Sequence, residues 1–141
     1  MEPLNLAELP QGALLLLDSP PIIYFLEEHP RLAARFQPLF DAHRAGTVQF
    51  AVTTLTLAVV LAGPLQAGEE ALARRYRSIL ESWQVLDLTA DIAESAARLR
   101  ASLRLKLPDA VQAASALSIN ADALVTYDRD FSRVRSLRVI S

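Results

Sequence analysis

The sequence predicts an α/β fold, a parallel sheet of four to five strands with helices on both faces. Three observations carry this. Short apolar runs alternate with segments of helical periodicity along the chain, the order expected of successive βαβ units. The first run, Leu14–Leu17, has no polar break, the pattern of a strand buried on both faces. Aspartates stand at the ends of the first and fourth runs, the edge where open α/β sheets place their ligands.

The elements follow in order. After the strand at Leu14–Leu17, Pro20-Pro21 opens a short helix through Leu26, since proline fits a helix's first turn. It ends near His29-Pro30, where His29 suits the negative end of a helix dipole. From Arg31 to Ala45, Leu32, Phe36, Leu39 and Phe40 recur at helical spacing; Pro38 predicts a kink or restart, and Gly46 a stop. His43 lies near that end for the same dipole reason. A strand at 48–52 and a helix at 54–62 follow, the helix closed by Gly63-Pro64. Leu72, Tyr76, Ile79, Leu80 and Trp83 line one face of a helix over 69–83, with Arg74, Arg75 and Arg77 largely outside that stripe. Val85–Leu88 is a third strand, and Thr89 caps a helix containing Ile92, Ala96, Leu99 and Leu103. Past Leu107-Pro108 an alanine-rich helix runs to about Ile119, then come strands at Ala123–Thr126 and Leu137–Ile140.

Composition narrows the function. The 141 residues suit one domain, 1–141, with residues 1–12 as an N-terminal extension, and 52% hydrophobic residues are enough for a packed core. The absence of cysteine excludes disulfides, thiol nucleophiles and cysteine-ligated zinc or iron–sulfur sites. Two histidines are too few for a zincin motif. Gly63 and Gly68 have phosphate-loop spacing, but Glu69 stands where that motif needs lysine. The uncharged stretch Thr47–Gly68 is long enough to span a bilayer, yet Gln49, Gln66, Gly63-Pro64 and its strand-then-helix pattern make it core. A soluble, cytoplasmic protein is expected. The net charge of −2 conceals a division: residues 1–95 carry 6 basic and 12 acidic residues, residues 96–141 carry 8 basic and 4 acidic.

What remains for chemistry is mostly carboxylates and hydroxyls. Asp18 closes the first strand and Asp128 lies just past the fourth, so in a parallel sheet both face one edge. Asp109 sits in the first turn of the helix after Leu107-Pro108, and Ser19 and Thr126 are hydroxyls placed to orient the acids. Taken singly, Asp109 is an ordinary helix-start acid, and Asp128 and Asp130 are ordinary turn acids. Asp18, after four leucines and before two prolines, is costly unless paired or metal-bound. Together, carboxylates without histidine or cysteine suit a hard cation such as Mg²⁺ or Mn²⁺ and metal-assisted attack on phosphorus.

Four segments in order resemble the PIN-domain family, and among its branches the VapC-type toxins of VapBC toxin–antitoxin pairs. They are Leu-Leu-Leu-Leu-Asp-Ser from Leu14, Thr-Leu-Thr-Leu-Ala-Val-Val-Leu-Ala-Gly-Pro from Thr54, Leu-Lys-Leu-Pro-Asp-Ala-Val-Gln from Leu105, and Ala-Leu-Val-Thr-Tyr-Asp-Arg-Asp-Phe from Ala123. The resemblance implies a three-layer α/β/α fold, Mg²⁺- or Mn²⁺-dependent endoribonuclease activity, a homodimer, and a VapB-like antitoxin that blocks the site. It assigns Asp18, Asp109 and Asp128 as catalytic metal-binding acids, with Ser19, Thr126 and Asp130 auxiliary. The family's second acid, a glutamate in Leu-Ala-Glu-Val-Leu, is replaced here: the segment reads Leu57-Ala58-Val59-Val60-Leu61. Tyr127 is a smaller departure, since many relatives carry asparagine there.

Val59 leaves three accounts: a weakened ribonuclease whose shell is completed by water, Asp130 or Glu27; a silent module that binds RNA or an antitoxin; or a change that disarms a toxic enzyme. An RNA substrate would be single-stranded, and its phosphates need cations. Arg129, beside the acids, is the foremost candidate, followed by Arg98, Arg100, Arg104 and Lys106, with Arg74, Arg75 and Arg77 on another helix. An antitoxin would lay a helix in an apolar groove near Pro20–Leu26 and the 31–45 helix.

Overall fold

Five parallel strands order as β3-β2-β1-β4-β5, so the first strand of the chain is the centre of the sheet. The computed structural model describes residues 2–141. Strand β1 (Ala13–Leu17) pairs with β2 (Val48–Thr53), Leu15 opposite Phe50, and with β4 (Ala123–Val125), Leu15 opposite Ala123. The short β3 (Gln84–Leu86) and β5 (Val139–Ile140) form the edges. A clasp at the start of β1 secures the central pairing: Leu14 N–H donates to Asp122 Oδ2 at 2.8 Å, and Asp122 N–H to the Leu14 carbonyl at 2.7 Å.

The leucine run reads as two faces because side chains alternate along a strand. Leu15 and Leu17 point into one core with Ile22 of α1 (Ser19–Leu26), Phe36 and Leu39 of α2 (Leu32–Arg44), Val60 of α3 (Thr54–Gln66), and Tyr76 and Leu80 of α4 (Glu70–Glu81). Leu16 points to the other face with Ala96 of α5 (Ala90–Leu103), Ala110, Ala113 and Ala114 of α6 (Leu107–Ser118), and Phe131 of the 3-10 turn Arg129–Arg133. Leu15, Leu16 and Leu17 are wholly buried, which contributes ~1.5–3 kcal/mol each. The alanines of α6 let that helix lie close to the sheet. This is the expected three-layer parallel α/β arrangement, and the stretch 47–68 is β2 and α3; no helix among the described residues is long and apolar enough to cross a membrane.

Three local expectations are corrected. Helix α2 does not restart at Pro38 but runs through it. The proline removes one bond, to Ala34 on the exposed side, while Phe36, Leu39 and Phe40 around it are buried; that burial outweighs the ~3 kcal/mol a proline costs in a helix. Helix α3 likewise passes Gly63-Pro64 and stops at Gln66, with Gly68 at φ +75° supplying the left-handed residue that ends it. The His29 side chain serves the next helix instead: its Nδ1 accepts the N–H groups of Arg31 and Leu32 at 3.3 and 3.1 Å at the start of α2, while its backbone N–H donates to the Tyr24 carbonyl of α1 at 2.9 Å.

Candidate metal centre

The β1/β4 junction builds the site at the carboxyl ends of the two strands. Asp18 N–H donates to the Val125 carbonyl at 2.8 Å, which sets Asp18 one residue past the end of β1 and beside Thr126. Its buried carboxylate accepts three hydrogen bonds: from Ser19 N–H at 2.9 Å, from Gln112 Nε2 at 3.1 Å and from Thr126 Oγ1 at 2.8 Å. Those donors offset the cost of burying the charge. The same Thr126 hydroxyl accepts Asp128 N–H at 3.0 Å, and Asp128 Oδ1 accepts Asp130 N–H at 2.9 Å, so the acidic turn after β4 is folded onto Asp18.

Asp109 enters from α6. Lys106, Leu107 and Pro108 start that helix, and Asp109 in its first turn is the one acid close to the helix dipole's positive end. Carboxylate oxygens of Asp109, Asp128 and Asp130 lie within 4.8 Å of one another. Asp109 Oδ2 is buried with no hydrogen-bond partner. Burial, then the charges of Asp128 and Asp18, pushes the Asp109 carboxyl up to about 6, with Lys106 pulling the other way. Crowded acids with an orphaned carboxylate oxygen, and no nitrogen or sulfur donor, fit a hard divalent cation and its oxygen ligands. Asp130, expected only as an auxiliary, is in the tight cluster; Asp18 stands outside it, held by its three donors. Glu27 lies elsewhere, exposed at the end of α1, where its charge acts on Tyr76.

Beneath the acids runs a buried network that sequence reading missed. Thr53 donates to Gln112 Oε1 at 2.7 Å, and Gln112 Nε2 donates to Thr56 Oγ1 at 2.7 Å as well as to Asp18. Thr53 also caps α3 by accepting Thr56 N–H at 3.2 Å. The signals were present: Thr53 stands where β2 gives way to α3, and Gln112 is one turn from Asp109 on the same helix face. Val59 follows Thr56 by one turn of α3 and is 44% exposed, an apolar side chain offered to solvent on the helix that braces the site.

Cations flank the acids. Arg100, Arg104, Leu105 and Lys106 line a cleft of about 350 Å³ where α5 joins α6, with Arg104 at φ 56°. A second cleft of about 350 Å³ on the α2 side is lined by Arg35, Tyr127, Arg129 and Ser141. Among the described residues, Arg100, Arg104, Lys106 and Arg129 form no ion pair.

A family model for the PIN domain matches residues 15–137. The chain belongs to the PIN-domain family. Solved structures share this architecture. A toxin–antitoxin complex from Klebsiella pneumoniae contains a chain 25% identical, matching over 90% of this chain and 96% of that one at a TM-score of 0.71. VapBC2 from Rickettsia felis, bound to a DNA fragment from its promoter, is 20% identical over 89% of this chain and 96% of that one, TM-score 0.70. VapC20 from Mycobacterium tuberculosis, a toxin that cleaves the sarcin–ricin loop, is 15% identical over 85% of this chain and 94% of that one, TM-score 0.68. The last two speak for the fold alone. No curated protein sequence matches the chain. A PIN domain with VapC-like architecture implies a metal-dependent nuclease.

Proposed function

We propose that this PIN domain, spanning 1–141 as one unit, is a VapC-type endoribonuclease that uses Mg²⁺ or Mn²⁺ and is weakened by Val59. The observation that carries the reading is the convergence of Asp109, Asp128 and Asp130 around the unpartnered Asp109 Oδ2. These three would hold the cation, with Asp18 adding charge from beside them. The chemistry such an ion supplies is water activation and neutralisation of charge at a phosphodiester phosphorus. The chain's own residues do the rest. Thr126 and Gln112 fix Asp18, and Ser19 N–H completes its shell. Arg129 and Lys106 attract RNA phosphates toward a centre that would otherwise repel them. Valine at 59 withholds one oxygen ligand and one charge, which lowers metal affinity.

The partner reading rests on the Klebsiella complex and on a groove of about 430 Å³ lined by Phe25, Phe40, His43, Ile79 and Trp83. An antitoxin helix laid on α1, α2 and α4 would cover it. A cytoplasmic homodimer held by such an antitoxin completes the proposal. The second reading, a silent module that binds RNA or antitoxin without cleaving, is favoured by Val59 itself.

Titration calorimetry with Mn²⁺ tests the centre: wild type should bind, and Asp109→Asn should not. Val59→Glu tests the rest. Mn²⁺-dependent cleavage of structured RNA should rise by orders of magnitude; a folded variant with no gain over wild type leaves the silent-module reading standing.

A further inference from the structure

We infer that Tyr127 is a stacking platform for a nucleobase of the bound RNA, with Arg129 taking a neighbouring phosphate. The inference rests on the ribonuclease reading and names where on this chain the substrate is gripped. In the chain Tyr127 stands between Thr126, which fixes Asp18, and Asp128 of the acidic cluster, so its backbone belongs to the turn that carries the site. Its ring is held in place from behind. Tyr24 and Phe36 meet it at centroid distances of 5.8 and 6.2 Å, both nearly perpendicular to it, so its orientation is preset. Yet Tyr127 is 40% exposed, whereas Phe36 is fully buried. Packing explains where the ring is held and not why it remains open to solvent.

The open part faces a cleft shared with Arg35, Arg129 and Ser141, whose size of about 350 Å³ falls within the ~300–1,000 Å³ of small-ligand sites. The Arg35 terminal nitrogens donate to the backbone oxygens of Glu2 and Ser141, which fixes its guanidinium in the wall of the cleft. Arg129 is exposed and forms no ion pair among the described residues. An exposed aromatic face next to the unpaired Arg129 guanidinium is the combination that holds single-stranded nucleic acid: the ring stacks a base, and the cation holds the backbone. A paired base in a duplex cannot present its face to Tyr127, so the site selects unpaired nucleotides.

The experiment measures binding apart from cleavage, by fluorescence anisotropy of a fluorescein-labelled single-stranded oligoribonucleotide of mixed sequence, with Ca²⁺ present to neutralise the acids. Tyr127→Ala should weaken binding by about tenfold, the scale of one lost base stack, while Tyr127→Phe keeps wild-type affinity. Arg129→Gln should weaken binding at low salt, with the difference vanishing at high salt. With an oligonucleotide of abasic residues, wild type and Tyr127→Ala should bind alike. Wild-type affinity in a folded Tyr127→Ala protein overturns the stacking proposal and leaves the ribonuclease reading intact, as does an equal loss in Tyr127→Phe. Failure of wild type itself to bind RNA, with Mn²⁺ still bound, removes the ribonuclease reading and the stacking proposal with it.

Discussion

At Asp109 a single carboxyl group records what the site lacks when no cation neutralises it. Its pKa is raised from 3.8 to about 6 by burial and then by Asp128 and Asp18. A carboxyl whose folded pKa lies above its unfolded value penalises the fold above the folded pKa, and the penalty fades as pH falls toward the unfolded one. In chelator, Asp109→Asn should therefore melt higher than wild type at pH 7.5. The gap should close as pH drops from about 6 toward 3.8 in thermal melts across that range. With Mn²⁺ the order at pH 7.5 should reverse, because only wild type gains binding energy. Val59 is the complementary case: a half-exposed position on α3, which accepts valine at little cost to the fold. The acids at the ends of β1 and β4 were readable from the order of residues alone, whereas the closeness of Asp130 was not. Sequence spacing places Asp130 in a turn, and only its N–H bond to Asp128 Oδ1 brings it into the cluster.

Among the elements, those with a local signature were legible and those decided by packing were not. Thr89 accepts Ile92 N–H at 3.2 Å and caps α5 as its residue type predicts, and Gly46 at φ +79° follows α2 as expected. Pro38 and Gly63-Pro64 mislead because a proline's cost is local, and the buried side chains around it are invisible to a reading of one segment at a time. The Thr53–Gln112–Thr56 network was hidden for a related reason: its members are 59 and 56 positions apart. It ties α6 to the start of α3 underneath the acids. Gln112→Leu keeps the volume and removes the shortest hydrogen bond of the Thr53 and Thr56 hydroxyls, along with one of the two donors to Asp18 Oδ1. Urea unfolding should show a loss of about 1–3 kcal/mol, since buried groups left without partners carry their desolvation cost. A Gln112→Leu/Thr53→Val double variant should lose less than the sum of the two single changes.

For the whole molecule, the net charge of −2 conceals an uneven distribution along the chain. The basic C-terminal portion places Arg100, Arg104 and Lys106 in one cleft and Arg129 in another. RNA affinity should accordingly fall steeply with salt. Lys106→Gln should lower the magnitude of the slope of log affinity against log salt by about 0.7, one phosphate contact on a single strand. The three-layer plan itself was legible from strand and helix alternation. The strand order was not, because β1 pairs with β4 across 108 residues through the Leu14–Asp122 clasp. β1 is thus made long before its second neighbour, and long-range parallel pairings of this kind form slowly. Until β4 is made, Asp18 lacks its Thr126 donor, and Asp128 and Asp130 do not yet exist. Assembly of the acidic cluster therefore waits on the pairing of β1 with β4: the residues that would hold a cation come together only once the centre of the sheet is complete.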